Sequence, residues 1–256
     1  MKILAIESSA GPASCAITQD GDILAEAGVN TRLTHSQTLM PMVQDMLRNS
    51  QTALTDIDVL AVAAGPGSFT GVRIGVAAVK GLAFARGIPC AAVSTLAAMA
   101  ENLRGVPFDG VICSVMDARC RQVYTACFDG ASLDRLTPDE AISLEDLKIR
   151  LLSYKKPIFL VGDGAAMCYT NLEGQVPELL LAPVPLRFQR AAGVAACAAG
   201  QALRGELCAA EALQPAYLRL PQAQRELRQR QAAAYMNLRK EWKSPCQTRL
   251  LSPTIL

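Results

Sequence analysis

The residues with the clearest chemical potential in this chain are glycines. Residues 61–81 read AVAAGPGSFTGVRIGVAAVKG, where Gly65, Gly67 and Gly71 allow positive φ and close backbone approach. A helix that follows such a turn points unpaired N–H groups at it, a geometry suited to phosphate. Ser68 and Thr70 are placed to cap that helix or to bond an anion. The loop is not a Walker A motif, because no Gly-Lys-Ser/Thr follows, and Gly71 comes one residue too late for G-x-G-x-x-G. Two readings therefore stay open: a phosphate turn, or glycines that only let a helix pack tightly on a sheet. Asp117 and Arg119, in MDAR, read as a local turn and ion pair. Nine cysteines, an odd number with no C-x-x-C, suggest neither a disulfide framework nor a zinc ribbon and fit small core residues of a cytoplasmic protein.

Elements must position these groups. KILAIES, ASCAITQ and DILAEAG read as three strands, the last two joined through Asp20-Gly21-Asp22, a hairpin signal. In THSQTLMPMVQDMLRNS, Leu39, Val43, Met46 and Leu47 share one helical face with Met40 beside them, and Pro41 is expected only near the helix start. DIDVLAVAAG is a near-continuous apolar strand. The helix VRIGVAAVKGLAFAR then stops at Gly87 and Pro89. CAAV is a short strand, and Ser94 is placed to cap the helix TLAAMAENL. RGVPFDG (104–110) marks a composition shift. Two strands flank DAR, PIFLVGDGA is a strand entering a glycine turn, and RAAGVAACAAGQALRG is a small-residue helix.

Length and composition set the bounds. The 256 residues are 51% hydrophobic and 19% charged, the mark of an ordinary globular chain. No apolar run approaches the roughly 18 residues that a membrane span needs, and MKILAIESS reads as a first strand rather than a signal peptide. Net charge +2 hides an asymmetry. From Arg219 on there are eight Lys/Arg against two Asp/Glu, leaving 17 against 21 in residues 1–218. Any general affinity for nucleic acid falls to the tail, where Arg225, Arg228, Arg230, Arg239, Lys240 and Lys243 lie near Tyr235 and Trp242. Such a run reads as a solvated helix face or as a contact to a nucleic-acid backbone.

AAGPGSFTGVRIGVAAVKGLA is similar to the signature of the bacterial TsaB (YeaZ) family and, more loosely, of its catalytic paralogue TsaD. ILAIESS, THSQTLMPMV, MDARCRQVY and PAYLR agree with it in consistent order. The resemblance implies an α/β, actin-like (ASKHA, ribonuclease H-like) two-lobed fold with mixed central sheets flanked by helices. Residues 1–103, completed by a helix and strand from 188–220, would form the first lobe. Residues 104–187 would form a smaller second lobe and 221–256 a basic tail.

The implied role lies in making N6-threonylcarbamoyladenosine at position 37 of tRNA. TsaD-like catalysts hold a metal with two histidines on the helix after the third main strand. Here that place reads VSTLAAMAENL (93–103), and the one histidine, His35, sits elsewhere. The resemblance thus implies a non-catalytic dimerisation subunit that binds and activates TsaD, helps recruit the ATPase TsaE, meets tRNA through the complex and forms a homodimer in isolation. Its partner interface is the helix 35–47, with His35, Leu39, Met40, Val43, Met46 and Leu47, together with Arg73. Glu7 stands where the fold's first-strand acid would be, and with Gly65, Gly67, Ser68 and Gly71 it would form a vestigial phosphate loop. No cofactor would be required, and weak ATP or ADP binding would persist. The alternative is a small ASKHA kinase or ATPase with its own turnover, which needs an acidic base, Mg²⁺-organising acids and a second loop such as VGDGA (161–165).

Overall fold

The hairpin signal opens the structure. In the computed structural model, which describes residues 1–31 and 33–219, β1 (Lys2–Glu7) pairs antiparallel with β2 (Ala13–Gln19), and β2 pairs with β3 (Asp22–Val29). Asp20 and Gly21 take φ of 53° and 97°, the left-handed pair that matches strand twist in a two-residue turn. Helix α1 (His35–Asn49) follows, then β4 (Val59–Gly65), α2 (Phe69–Phe84), β5 (Cys90–Ser94) and α3 (Thr95–Ala100). The first sheet has the order β3-β2-β1-β4-β5, with β4 and β5 parallel to β1.

A second five-stranded mixed sheet comes from later residues. It contains β6 (Val111–Asp117), β7 (Gln122–Asp129), β8 (Glu140–Ser143), β9 (Ile158–Val161) and β10 (Leu179–Leu181), in the order β10-β9-β6-β7-β8. Helices α4 (Leu144–Tyr154), α5 (Ala165–Leu172), α6 (Val184–Arg187) and α7 (Ala191–Leu203) complete the described chain. Two mixed sheets flanked by helices are what the resemblance implied. No described helix is long and apolar enough to cross a membrane.

Strand alternation splits each core in two. Leu4, Ile6, Cys15, Leu60 and Val62 face α1 and α2, while Ile3, Ala5, Ala16, Ala61 and Ala63 face α7. In the second sheet Val111, Cys113 and Val115 pack with α4 and α5, and Ile112 and Met116 pack with α3.

Two expectations need correction. Pro41 is the seventh residue of an unbroken α1, not a first-turn residue. The proline ring withdraws one backbone donor, but Pro41 is exposed, so water can take the freed carbonyl. Between residues 140 and 187 the sequence reading finds only one strand, yet the structure adds β8, α4, α5, β10 and α6. β8, β10 and α6 are only three or four residues long, so tertiary packing rather than local pattern specifies them, whereas α4, eleven residues capped by Ser143 with Glu145 and Asp146 in its first turn, carries a local signal that the sequence reading missed.

Candidate functional site

The glycine loop joins β4 to α2 at the end of the first sheet, beside the end of β1. Ser68 caps α2, accepting the Gly71 N–H at 3.3 Å, as the sequence suggested. The rest of the loop is pressed against the chain itself. Ser68 N–H donates to the Ser9 carbonyl at 2.6 Å, and Ala216 N–H donates to the Ala64 carbonyl at 2.7 Å. A Cβ on Gly67 would lie 2.4 Å from Ser9 O, one on Gly71 2.1 Å from Ser8 O, and one on Gly65, whose φ is +126°, 2.3 Å from Ala216 O. The close approach that these glycines permit is therefore made by backbone of the β1–β2 turn and of the segment near Ala216. Gly75, which sequence reasoning passed over, belongs to the same contact, its Cβ position lying 2.5 Å from Ser8 Oγ. Ser8 Oγ donates to the Gly71 carbonyl at 2.9 Å.

Glu7 ends β1 and is fully buried. Its Oε1 accepts the Ser9 N–H at 2.6 Å, and burial pushes the carboxyl up to about 7. Asp163, in the VGDGA turn after β9, is also raised by burial, and its Oδ1 accepts the Gln189 side-chain amide at 2.8 Å. Gln189 gave no sequence signal, since 26 residues separate the pair. Asp117 accepts the Arg119 N–H at 2.7 Å, the local turn that MDAR suggested.

The expected interface residues divide. Leu39, Val43 and Met46 are buried in this chain's own core, Met46 Sδ lying 3.6 Å from Cys15 Sγ. The apolar face of α1 thus turns inward, because the first sheet offers it an apolar surface to cover. Met40, Met42 and Leu47 are half-buried and reach the surface. His35 Nε2 lies 2.8 Å from the Ala10 carbonyl, so that nitrogen donates and ties α1 to the β1–β2 turn. Arg73 is exposed, with its guanidinium 3.7 Å over the Phe69 ring and its Nε donating to Tyr217 Oη at 2.8 Å. Residues 93–103 pack α3 into the core through Leu96, Met99 and Leu103. Among the described residues no three His, Cys, Asp or Glu converge as a metal site. The basic cluster Arg225 to Lys243 and the rest of the tail from 221 lie outside the described residues.

A family model described as TsaD, tRNA N6-adenosine threonylcarbamoyltransferase, matches residues 27–227. A Bacillus subtilis protein called tRNA threonylcarbamoyladenosine biosynthesis protein TsaB is 36% identical over 169 residues, 65% of this chain and 73% of that one. The Escherichia coli protein of the same name is 43% identical over 126 residues, 49% of this chain and 54% of its own length, so against that relative the chain spans about half. Among solved structures, YeaZ from Pseudomonas aeruginosa superposes with a TM-score of 0.73 at 30% identity, covering 85% of this chain and 99% of that one.

Proposed function

We propose, from the premise that this chain belongs to the TsaB (YeaZ) family of tRNA threonylcarbamoyladenosine biosynthesis proteins, that it is a non-catalytic subunit of that machinery. In this reading it binds and activates the TsaD transferase, helps to recruit TsaE, and meets tRNA through the complex. It pairs with itself when TsaD is absent. It needs no cofactor of its own, and any ATP or ADP binding is weak.

The observation that carries the reading is the state of the glycine loop. Three of its glycines are spent on contact with the chain's own backbone, where a phosphate cradle would keep its amides open to a ligand. The only histidine is likewise committed, to the Ala10 carbonyl. With Leu39, Val43 and Met46 turned inward, the surface left to a partner on α1 is its outer flank. That flank carries Met40, with Met42 and Leu47 at its edge packed partly against the core, and methionine suits surfaces that repack against related partners.

The test is co-purification of this chain with its TsaD counterpart and a tRNA modification assay, for the parent and for Met40→Asp combined with Arg73→Glu. Loss of both complex and modification, with an unchanged melting temperature, supports the subunit reading. If the variant binds and supports modification like the parent, the α1–α2 surface is not the interface. Turnover of ATP by the isolated chain would favour the small ASKHA kinase or ATPase instead.

A further inference from the structure

The second sheet sets two cysteines against each other. Cys113 of β6 and Cys127 of β7 stand directly opposite in the antiparallel ladder, both buried and both free thiols. The main chain of Cys127 decides which kind of pair they form. Its N–H donates to Thr137 Oγ1 at 2.9 Å, and its carbonyl accepts the Leu136 N–H at 2.8 Å. Both groups therefore turn away from β6, and Cys113 and Cys127 make a non-hydrogen-bonded pair. Such pairs hold their Cα atoms about 4.5 Å apart and bring their side chains closest together. That separation lies within the roughly 4.4–6.8 Å that a disulfide spans. Both side chains lie on the face covered by α4 and α5.

The surroundings treat the two thiols differently. A hydrogen bond between them is the largest influence on each, holding Cys127 below the ordinary thiol range and, with burial, Cys113 well above it. Further donors face Cys127. The Thr137 hydroxyl, whose oxygen accepts the Cys127 N–H, keeps its own proton to donate, and Tyr154 and Arg150 of α4 add a phenol and a cation. Arg150 Nη2 donates to Glu140 at 2.5 Å, while its Nη1 is buried without a partner. Cys113 instead faces the Thr125 hydroxyl, 3.4 Å from its sulfur, and the buried Cys168 of α5. Arg150 and Tyr154 are only half-buried, so the cluster reaches the surface along α4, by a path that suits an oxidant little larger than water.

We propose that Cys113 and Cys127 form a dithiol that a hydroperoxide closes to a disulfide between β6 and β7. Cys127 is the attacking sulfur, because the thiolate is the nucleophile. It bonds to one peroxide oxygen, the O–O bond breaks and hydroxide leaves. Cys113 then attacks the sulfur of the Cys127 sulfenic acid. The S–S bond forms, the S–O bond breaks, and the oxygen departs as water with the Cys113 proton. Two electrons pass from the thiols to the peroxide. The hydroxide takes up the proton that Cys127 had lost, so hydrogen peroxide yields two waters. This chemistry belongs to the second sheet and goes beyond the subunit role proposed above.

The experiment treats the reduced full chain with equimolar hydrogen peroxide at neutral pH and then blocks the remaining thiols with N-ethylmaleimide in denaturant. Peptide mass spectrometry should find Cys113 joined to Cys127, two hydrogens lighter than the reduced pair, and dithiothreitol should reverse the link. In Cys113→Ser the reaction should stop at the Cys127 sulfenic acid, captured by dimedone as the chain is unfolded. The exposed Cys120 is the internal comparison. Oxidation of Cys120 with Cys113 and Cys127 left as free thiols would overturn the proposal, and so would a disulfide from Cys113 to Cys168. Should Cys113→Ser fail to fold, the cross-linked peptide of the parent, present or absent, decides alone.

Discussion

Replacing Gly71 with alanine places a methyl group 2.1 Å from the Ser8 carbonyl oxygen. Real Cβ contacts essentially never fall below 3.0 Å, so the two must separate by about 0.9 Å. Neither side yields cheaply. Ser8 is fully buried, its hydroxyl is bonded to Gly71 O, and the next residue is held by Ser68 N–H and by Glu7. Overpacking of a fixed core costs about 1–3 kcal/mol, and a backbone contact belongs at the upper end. Against this, alanine in a helix returns at most about 1 kcal/mol over glycine. The net expectation is a loss of about 2 kcal/mol, or a melting temperature lower by about 4–8 °C for a chain of this size. Gly81, in the same helix, meets nothing within 4 Å, so Gly81→Ala keeps only the propensity gain and should raise the melting temperature by about 2–4 °C. Both variants and the parent are melted together, followed by circular dichroism in one buffer. A Gly71→Ala protein as stable as the parent would mean that the loop has room. The reasoning that its glycines serve internal packing would then fail, and nucleotide titration of the parent would become the next measurement.

Two further substitutions probe the supports around the loop. Leu39→Ala empties a site in the core beneath α1 and should cost about 2–5 kcal/mol, read as a lower urea midpoint with an unchanged slope; a cost below about 1 kcal/mol would mean that the helix does not pack there. Ser14→Ala strips the acceptor from the buried Ala191 N–H at the start of α7 and should cost about 1–3 kcal/mol. Ser14→Thr, which keeps the hydroxyl, should recover part of that loss, and equal stability of both variants would refute the role of that bond.

How much of this was legible in the sequence varies with the range of the interaction. The Asp20-Gly21 turn, the Ser68 and Ser94 caps and the stop at Gly87 depend on neighbours within a few residues, and they stand as read. The first sheet also follows from local pattern, because its strands are apolar runs between turn signals. α1 was legible as a helix, but the side that its apolar face turns to was not. Leu39, Val43 and Met46 show the same periodicity whether they cover this chain's sheet or another chain's helix. The bond between Gln189 and Asp163 joins two distant segments, and nothing local to either announces the other.

The glycine loop explains why a strong motif can be a weak guide to chemistry. A phosphate cradle and a tightly packed turn impose the same demand on the chain, since each requires positions where no Cβ is tolerated. In this fold Ser8 O, Ser9 O and Ala216 O occupy the space that side chains at Gly71, Gly67 and Gly65 would need. The packing therefore requires glycine at these positions whether or not a nucleotide binds. Catalysis makes a different demand, for specific ligands and acids held in an open site. Here the lone imidazole is bonded to a main-chain carbonyl, and the first-strand acid is buried with one oxygen unpartnered. Features that packing alone can require do not separate catalyst from partner.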